Sequence, residues 1–270
     1  MGSISAQSEA EWEQSRSAFS FLASGLAKNE RNMKESDLHD GGAALAPENT
    51  IEAFDNDMAL GADGLEVDVR LSRDSVVVVH HDATLDRTTR LSGPLADHGA
   101  ADLAGVGVPR LTDVLRRYPH ARVIIEMKVD TPDIACAVVH AVSTAEAEDR
   151  VCVGGFSRRA LMTVRKMAPA IATSAAREEV RWALYRSWCR WPVKTVSYGG
   201  YQVPEMAGAI RVVSPRFVAA AHRAGLGVQV WTVNDEETAR RLLTWGVDAL
   251  ITDRPDLMVP LVAAVRRSPE

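Results

Sequence analysis

Cysteine is scarce in this chain of 270 residues, which contains only Cys136, Cys152 and Cys189. Their separations match neither the paired spacing of a zinc site nor the framework of a disulfide-stabilised domain. The usual role of such a cysteine is that of a small buried apolar residue. The sequence therefore offers no cysteine-based metal site or cross-link, and a reducing compartment fits it.

Long apolar runs and an excess of positive charge are also missing. No apolar stretch approaches the roughly 20 residues that a membrane-spanning helix needs. Glu9, Glu11 and Glu13 stand where a secretory signal would be basic. The net charge is −5, and no basic stripe is interleaved with aromatic residues, which argues against a nucleic-acid partner. We therefore expect a cytoplasmic protein.

The remaining composition is ordinary for a globular protein, with 46% apolar and 25% charged residues. From about residue 38 onward, short β-branched runs alternate with stretches of helical length, which predicts a mainly parallel sheet covered by helices. The strand candidates are 64–70, 76–81, 122–128, 151–156, 171–175, 195–203, 227–233 and 248–252. The helix candidates are 49–60, 132–147, 157–168, 177–189, 214–224 and 235–245.

The strand count favours a closed barrel. Segment 76–81 returns antiparallel to 64–70 and lies outside the count, which leaves seven parallel strands and a poor eighth candidate near Leu38. Eight such strands would close a (βα)8 TIM barrel, the α/β fold class that we predict. Polar residues follow several of the strands, and in such a barrel the carboxyl ends of the strands form the active face.

Residues 1–37 differ in composition from the rest, being rich in Ser, Glu and Asn. The part Glu9–Ala27 has the pattern of an amphipathic helix, and Lys28–Asp37 that of a polar loop. We predict an N-terminal arm of unknown role over 1–37 and a barrel over 38–265, with a defective or atypical first strand.

The stretch GLEVDVRLSRDSVVVVHHD, Gly64–Asp82, predicts a hairpin that carries unusually many ionisable groups. Burying such groups is costly unless they are paired or bind an ion. A turn centred in its polar SRDS link would place Asp68 opposite Val79 and Glu66 opposite His81. These four side chains would then share one face of the hairpin.

Glu66, Asp68 and Glu126 are hard oxygen ligands on neighbouring strands. Three carboxylates in one place cannot all ionise cheaply without a cation. A divalent Mg²⁺ or Ca²⁺ would satisfy them and could also hold a phosphate oxygen. Lys128 follows Glu126 by two residues and would add a positive charge on the same face.

His39 and His81 are the natural acid/base pair, because imidazole titrates near neutral pH. His80 would point to the opposite face, and we expect it to be structural.

A series of motifs in this order resembles the glycerophosphodiester phosphodiesterase family over about residues 38–260. The first group of matching motifs is His39…Gly41, Pro47-Glu48-Asn49-Thr50, Ala53-Phe54, Gly61-Ala62-Asp63-Gly64, Glu66-Val67-Asp68-Val69, Val79-His80-His81-Asp82 and Arg87-Thr88-Thr89. The second is Ile125-Glu126-Met127-Lys128, Trp231-Thr232-Val233-Asn234 and Gly246-Val247-Asp248…Thr252-Asp253.

The resemblance implies a TIM barrel that hydrolyses glycerophosphodiesters, small-molecule substrates, to glycerol 3-phosphate and an alcohol with the help of a divalent metal. By the resemblance, the metal ligands are Glu66, Asp68 and Glu126, and the acid/base pair is His39 and His81. Glu48 and Lys128 would line the phosphate site, and Trp231 the glycerol side.

The first motif departs from the family pattern. The family has His-Arg-Gly after an apolar strand, whereas this chain has His39-Asp40-Gly41 after a polar segment. The expected arginine would bind phosphate through a charge-assisted pair, and Asp40 reverses that charge. The departure predicts either an impaired enzyme or an additional metal ligand at Asp40.

Two alternatives to soluble glycerophosphodiester hydrolysis stay open. One is a phospholipase D-like or lyase-type action on lysophospholipids, for which Trp182, Trp188 and Trp191 near Tyr185 could provide an apolar rim. The other is a degenerate barrel that binds a phosphodiester without turnover, as Asp40 would suggest. The leaving alcohol, the preferred cation and the oligomeric state are not determined by the sequence.

Overall fold

The computed structural model describes residues 23–24, 47–191 and 196–267, with the backbone alone for residues 23–24. Its strands are β1 (Ala23–Ser24), β2 (Gly64–Leu71), β3 (Val77–Val79), β4 (Arg122–Met127), β5 (Val151–Gly155), β6 (Ala172–Thr173), β7 (Gly200–Pro204), β8 (Met206–Ala207), β9 (Ile210–Arg211), β10 (Gly227–Trp231) and β11 (Ala249–Thr252). Its α-helices are α1 (Ile51–Ala59), α2 (Ala100–Ala104), α3 (Leu111–Arg117), α4 (Pro132–Thr144), α5 (Arg158–Met167), α6 (Arg177–Cys189), α7 (Pro215–Arg223), α8 (Glu236–Thr244) and α9 (Pro255–Arg267).

Eight parallel strands follow one another around the sheet in the order β6-β5-β4-β2-β1-β11-β10-β7. The last join, between β6 and β7, is a single parallel bridge from Ser174 to Gly200 rather than a ladder. Two backbone hydrogen bonds support it: Ala175 N donates to Gly200 O at 2.9 Å, and Gly199 N donates to Thr173 O at 3.0 Å. The predicted (βα)8 architecture is thereby confirmed in strand number and order, with its weakest join between β6 and β7.

The helices begin where the local chemistry favours a helix start. Thr50, Ser214 and Asp235 each accept a hydrogen bond from a backbone N–H of the first turn of α1, α7 and α8. Proline occupies the first turn of α4 and α7, where its missing N–H costs nothing. These caps give partners to backbone N–H groups that the first turn of a helix leaves without one.

Two large apolar clusters lie between the sheet and the helices. The first joins β2, β4 and β5 to α3, α4 and α5 through residues such as Val67, Ile125 and Val153. The second joins β7, β10 and β11 to α7, α8 and α9 through residues such as Tyr201, Phe217 and Val230. Their burial leaves the polar side chains of the strands to face the inside of the barrel, where the strand ends carry the site.

The first strand differs from the sequence prediction. Ala23 pairs with Ile251 of β11 on one side and with Gly64 of β2 on the other, in the stretch for which an amphipathic helix is predicted. Periodicity alone does not separate a short buried strand from a helix. The backbone groups of β2 and β11 need partners, and a strand at this position supplies them. Leu38, the predicted location of this strand, lies outside the described residues.

The sequence did not identify α2, α3, α9 or the hairpin β8–β9. It was also wrong about two cysteines: Cys152 is buried as expected, but Cys136 and Cys189 are exposed. None of the helices that the structure describes is long and apolar enough to cross a membrane.

Candidate active site

The parallel register of β2 and β4 brings three carboxylates together at the carboxyl ends of these strands. Asp68 lies directly beside Glu126, and Glu66 precedes Asp68 by two residues on the same face. One carboxylate oxygen from each of the three lies within 4.8 Å of the others. Glu66 and Asp68 are buried, and Glu126 is half-buried. The three predicted metal ligands are thus close enough to share one ion.

The predicted hairpin register, however, is wrong by one residue. Val79 pairs with Val69 rather than with Asp68, and His80, not Val79, donates its backbone N–H to Asp68 O at 2.8 Å. The cause is a three-residue loop closed by Ser75, which has a positive φ of 60°. The convergence of the carboxylates therefore rests on the β2–β4 register and not on the hairpin.

Lys128 places its ammonium against two of these carboxylates. Its Nζ lies 2.9 Å from Asp68 Oδ1 and 3.1 Å from Glu126 Oε1. Burial opposes the charge of Lys128, but attraction to Asp68 and Glu126 outweighs it and raises the pKa of the ammonium. Lys128 is therefore a fixed positive charge at this site.

The donor set fits a divalent cation. Asp68 is fully buried, and its Oδ1 is paired with the ammonium of Lys128 at 2.9 Å. One ammonium offsets the charge of one carboxylate, whereas three carboxylates meet here and repel one another when ionised. Carboxylate oxygens are the ligands that Mg²⁺ and Ca²⁺ prefer.

Asn49 orients Asp68, a role that the sequence did not assign to it. Its Nδ2 donates to Asp68 Oδ2 at 3.3 Å, and its Oδ1 accepts from Asp68 N at 3.2 Å. Asn49 is buried and has a φ of 58°, a left-handed conformation that asparagine tolerates better than most residues. The Pro-Glu-Asn-Thr motif, with asparagine before a helix cap, was the available signal.

A second polar network lies around His81. His81 Nδ1 is 2.7 Å from Asp82 Oδ1, and Arg87 Nε donates to Asp82 Oδ2 at 2.6 Å. Arg87 also pairs with Glu48. Its hydrogen bond to Asp82 is the main cause that lowers the pKa of that carboxyl to about 2, so Asp82 stays ionised. The contact with Asp82 leaves Nε2 of His81 as the ring nitrogen for proton transfer.

The remaining residues that the sequence analysis named lie in different surroundings. Glu48 pairs with Arg87, and its carboxylate lies in one cluster with the side chains of His81 and Asp82. It therefore belongs to the network around His81. His39 and Asp40 lie outside the described residues. His80 is buried, and its Nε2 lies 3.2 Å from Thr84 O. Burial lowers its pKa, as befits a structural histidine.

An apolar cavity of about 390 Å³ opens beside the carboxylates, with Glu126 and Trp231 among the residues that line it. Trp231 is half-buried and packs against Ile124 and Ile251 inside the barrel. The ring of Phe156 stands edge-on to that of Trp231, with centroids 6.3 Å apart. Most of the remaining lining comes from the residues that follow β6, from β7, from α6 and from the hairpin β8–β9. The site thus joins a charged pocket to an apolar one.

Comparison with known proteins identifies the group to which these features belong. The sequence model of the glycerophosphoryl diester phosphodiesterase family matches residues 39–257. A glycerophosphodiester phosphodiesterase of Bacillus altitudinis is 31% identical over 244 residues, which cover 83% of this chain and 96% of that protein. Another, of Caldanaerobacter subterraneus subsp. tengcongensis, is 29% identical over 242 residues, which again cover 83% of this chain and 96% of that protein.

A solved structure agrees with these sequence relatives. The crystal structure of a glycerophosphodiester phosphodiesterase from Agrobacterium tumefaciens superposes with a TM-score of 0.66 at 27% identity. The superposition covers 82% of this chain and 95% of that one. The resemblance on which the sequence prediction depends is confirmed.

Proposed function

Because the chain belongs to the glycerophosphoryl diester phosphodiesterase family, we propose that it hydrolyses glycerophosphodiesters to glycerol 3-phosphate and an alcohol. The observation that carries the proposal is the meeting of Glu66, Asp68 and Glu126 within 4.8 Å of one another. These three carboxylates are the residues that would hold a divalent ion, Mg²⁺ or Ca²⁺. When bound, such an ion polarises a phosphate oxygen and offsets the negative charge of the substrate.

The surrounding side chains supply the other requirements of phosphodiester hydrolysis. The ammonium of Lys128, 2.9 Å from Asp68, is placed to pair with a phosphate oxygen beside the carboxylates. Trp231 lines the adjoining cavity and would contact the glycerol part of the substrate. Glu48, which pairs with Arg87 and lies near His81, would help to orient the substrate.

His81 is the described residue best placed to move a proton. Asp82 contacts Nδ1 and orients the ring, which leaves Nε2 to accept a proton from the nucleophile or give one to the leaving oxygen. His39 is the proposed partner of His81, by the resemblance alone. The assignment of acid and base to the two histidines is not part of the proposal.

The test is a coupled assay of glycerol 3-phosphate release with added Mg²⁺ or Ca²⁺, with and without a chelator. We expect the chelator to abolish activity and either ion to restore it. Glu126→Gln should reduce activity by at least about 100-fold, since even residues that only support a metal ligand contribute 10–100-fold. Glu237→Gln, on the exposed side of α8, is the matched control and should leave the rate unchanged. Activity that survives the chelator would refute the metal proposal.

The cavity favours a second candidate, a lysophospholipid whose glycerol carries one acyl chain. An apolar space of about 390 Å³ next to Trp231 exceeds what a glycerol needs and suits part of an acyl chain. Glycerophosphocholine and lysophosphatidylcholine should be compared as substrates of the protein and of Ala207→Phe, which fills the cavity from the hairpin. A loss for the lysophospholipid alone would favour this candidate, whereas an equal effect on both substrates would remove it.

Two further points stay predictions. The cytoplasmic location and the absence of a nucleic-acid partner depend on the sequence alone.

The effect of Asp40 is open to a direct test: Asp40→Arg should raise the rate if the charge reversal impairs phosphate binding. An unchanged rate would show that Asp40 does not limit the enzyme.

A further inference from the structure

Helix α6 carries a cluster of aromatic side chains that the proposed reaction does not use. Trp182, Tyr185 and Trp188 on the helix and Trp191 just after it are exposed, with Trp182 at 64%. Ring centroids of Trp182 and Tyr185 are 6.2 Å apart, and those of Tyr185 and Trp191 are 6.1 Å apart. Three of the four rings therefore touch one another on the surface, and the ring of Trp188 is exposed on the same helix. A contiguous apolar patch of this kind is typical of an interaction surface.

The same surface is locally basic in an acidic protein. The segment Arg177–Trp191 contains four arginines and two glutamates, whereas the whole chain has a net charge of −5. Arg165 Nη1 lies 2.9 Å from Glu179 Oε1. Because the charge of Glu179 is already paired, it does less to offset the arginines of this segment. No salt bridge joins Arg181 or Arg190 to a carboxylate within the part of the chain that the structure describes. We call the exposed rings and these arginines the α6 face.

The α6 face adjoins the mouth of the apolar cavity. Arg181 lines that cavity and also a shallow groove, which is formed with Glu178, Trp182, Tyr185 and Trp191. Across the cavity, the hairpin β8–β9 exposes the apolar side chains of Met206 and Ile210. Apolar groups thus stand on both sides of the opening, with guanidinium groups on the α6 side.

We propose that the α6 face binds the surface of an anionic phospholipid bilayer. Tryptophan and tyrosine favour the boundary between water and hydrocarbon because their rings are apolar and carry one polar group. Arginines beside them would attract acidic headgroups, which complement the local positive charge. A helix with these two features lies in the plane of the interface rather than across it. Met206 and Ile210 would enter the same boundary and bring the cavity mouth to the lipid.

Other occupants fit the observations less well. Single-stranded nucleic acid also uses arginine and aromatic rings, but it gives no reason for exposed aliphatic groups around a cavity mouth. A second copy of the chain would bring two basic α6 faces together, and the repulsion opposes that contact. Both occupants are outcomes of the experiment below.

The proposal is tested by sedimentation of the full chain with vesicles of phosphatidylcholine alone and of phosphatidylcholine mixed with phosphatidylglycerol. We expect binding to the mixed vesicles and much weaker binding to the neutral ones. Trp182→Ala combined with Trp188→Ala should abolish binding. Arg181→Glu combined with Arg190→Glu should weaken it by at least about tenfold, since each arginine near an anionic surface contributes about 1 kcal/mol. Met167→Ala, which removes a 50% exposed apolar side chain from α5, is the matched control.

Hydrolysis of soluble glycerophosphocholine by the tryptophan variant and by the Met167→Ala control should equal that of the parent, so failure of this inference is distinct from failure of the proposed reaction. Equal binding to the two kinds of vesicle, or full binding by the tryptophan variant, would overturn the proposal. So would dimerisation or single-stranded DNA binding through the α6 face without vesicle binding, measured by sedimentation velocity and fluorescence anisotropy.

Discussion

The two sides of the barrel's carboxyl face are built in different ways. On the acidic side, residues Gly64–Val69 of β2 pair without interruption with residues Arg122–Met127 of β4. This ladder holds Asp68 beside Glu126. On the apolar side, β6 has two residues and reaches β7 through one bridge, and part of the wall comes from a helix, α6, and from the hairpin β8–β9. Ion binding needs oxygens at fixed positions, which a long ladder provides. An apolar wall makes less strict demands on geometry, so the two sides can change independently.

The largest effect should follow from disturbing the acidic side at its buried centre. Asp68→Asn keeps the shape of the side chain but removes a fully buried charge. We expect activity to fall by at least about 100-fold, because even residues that only support a metal ligand contribute 10–100-fold. A bound ion raises the melting temperature by mass action, and this rise on adding Mg²⁺ or Ca²⁺ should also vanish.

Calorimetry with and without the ion measures this loss independently of turnover. Glu237→Gln is again the control and should retain the ion-dependent rise. An Asp68→Asn protein that is still stabilised by the ion would show that the acidic side does not hold it.

A smaller effect should come from the residue that supports Asp68. Asn49→Gly preserves the positive φ but removes both hydrogen bonds to Asp68. We expect about tenfold weaker ion binding, the usual loss when a ligand loses its orienting partner. Ser75→Gly, at another positive φ in the hairpin loop, is the matched control and should bind the ion as the parent does. Equal affinities for the two variants would show that Asn49 has no positioning role.

The contact between the two sides is tested at Trp231. Trp231→Leu removes the ring that packs on Ile124 and faces Phe156 at the cavity. We expect KM to rise by up to about tenfold, the range that aromatic contacts provide, while kcat changes less. Trp245→Leu is the control, since Trp245 contacts Arg211 and Arg241 away from the carboxylates. A fall in kcat with KM unchanged would mean that Trp231 acts on the reacting groups instead.

The same contrast explains what the sequence could predict. Val67 belongs to a stretch in which apolar and charged residues alternate, and Ile125 ends the short apolar run Val123–Ile125. The strands that carry Asp68 and Glu126 were therefore evident, and their parallel pairing followed from the fold class. The cluster of carboxylates does not depend on the hairpin turn, where Ser75 shifts the register by one residue. A wrong register therefore still led to the right cluster of carboxylates.

The remaining features depend on contacts that no local pattern encodes. Ala23–Ser24 forms a strand because β2 and β11 flank it, and two residues carry no periodic signal of their own. Asn49 acts through its conformation and through a partner 19 positions away. The sequence shows the α6 face only as a group of tryptophans, and only the structure relates this group to the cavity mouth.

The smallest effect concerns acid stability on the acidic side. The hydrogen bond from Arg87 lowers the pKa of Asp82 from 3.8 to about 2. A carboxyl whose pKa is lowered by folding stabilises the native state fully above its unfolded pKa, and this contribution is lost as the pH falls from about 3.8 through about 2. Arg87→Gln should therefore lower the free energy of unfolding at pH 7 and have almost no effect near pH 2.

The expected difference at pH 7 is under about 1 kcal/mol, because the side chain of Arg87 is 44% exposed and solvent screens the pair. Urea unfolding at pH 7 and near pH 2 measures it, and high salt should reduce it. Arg90→Gln, on an exposed arginine bonded only to a backbone carbonyl among the described contacts, is the control. If Arg87→Gln destabilised the protein equally at both pH values, the pairing with Asp82 would not be the cause, and lost packing around Glu48 would be the better explanation.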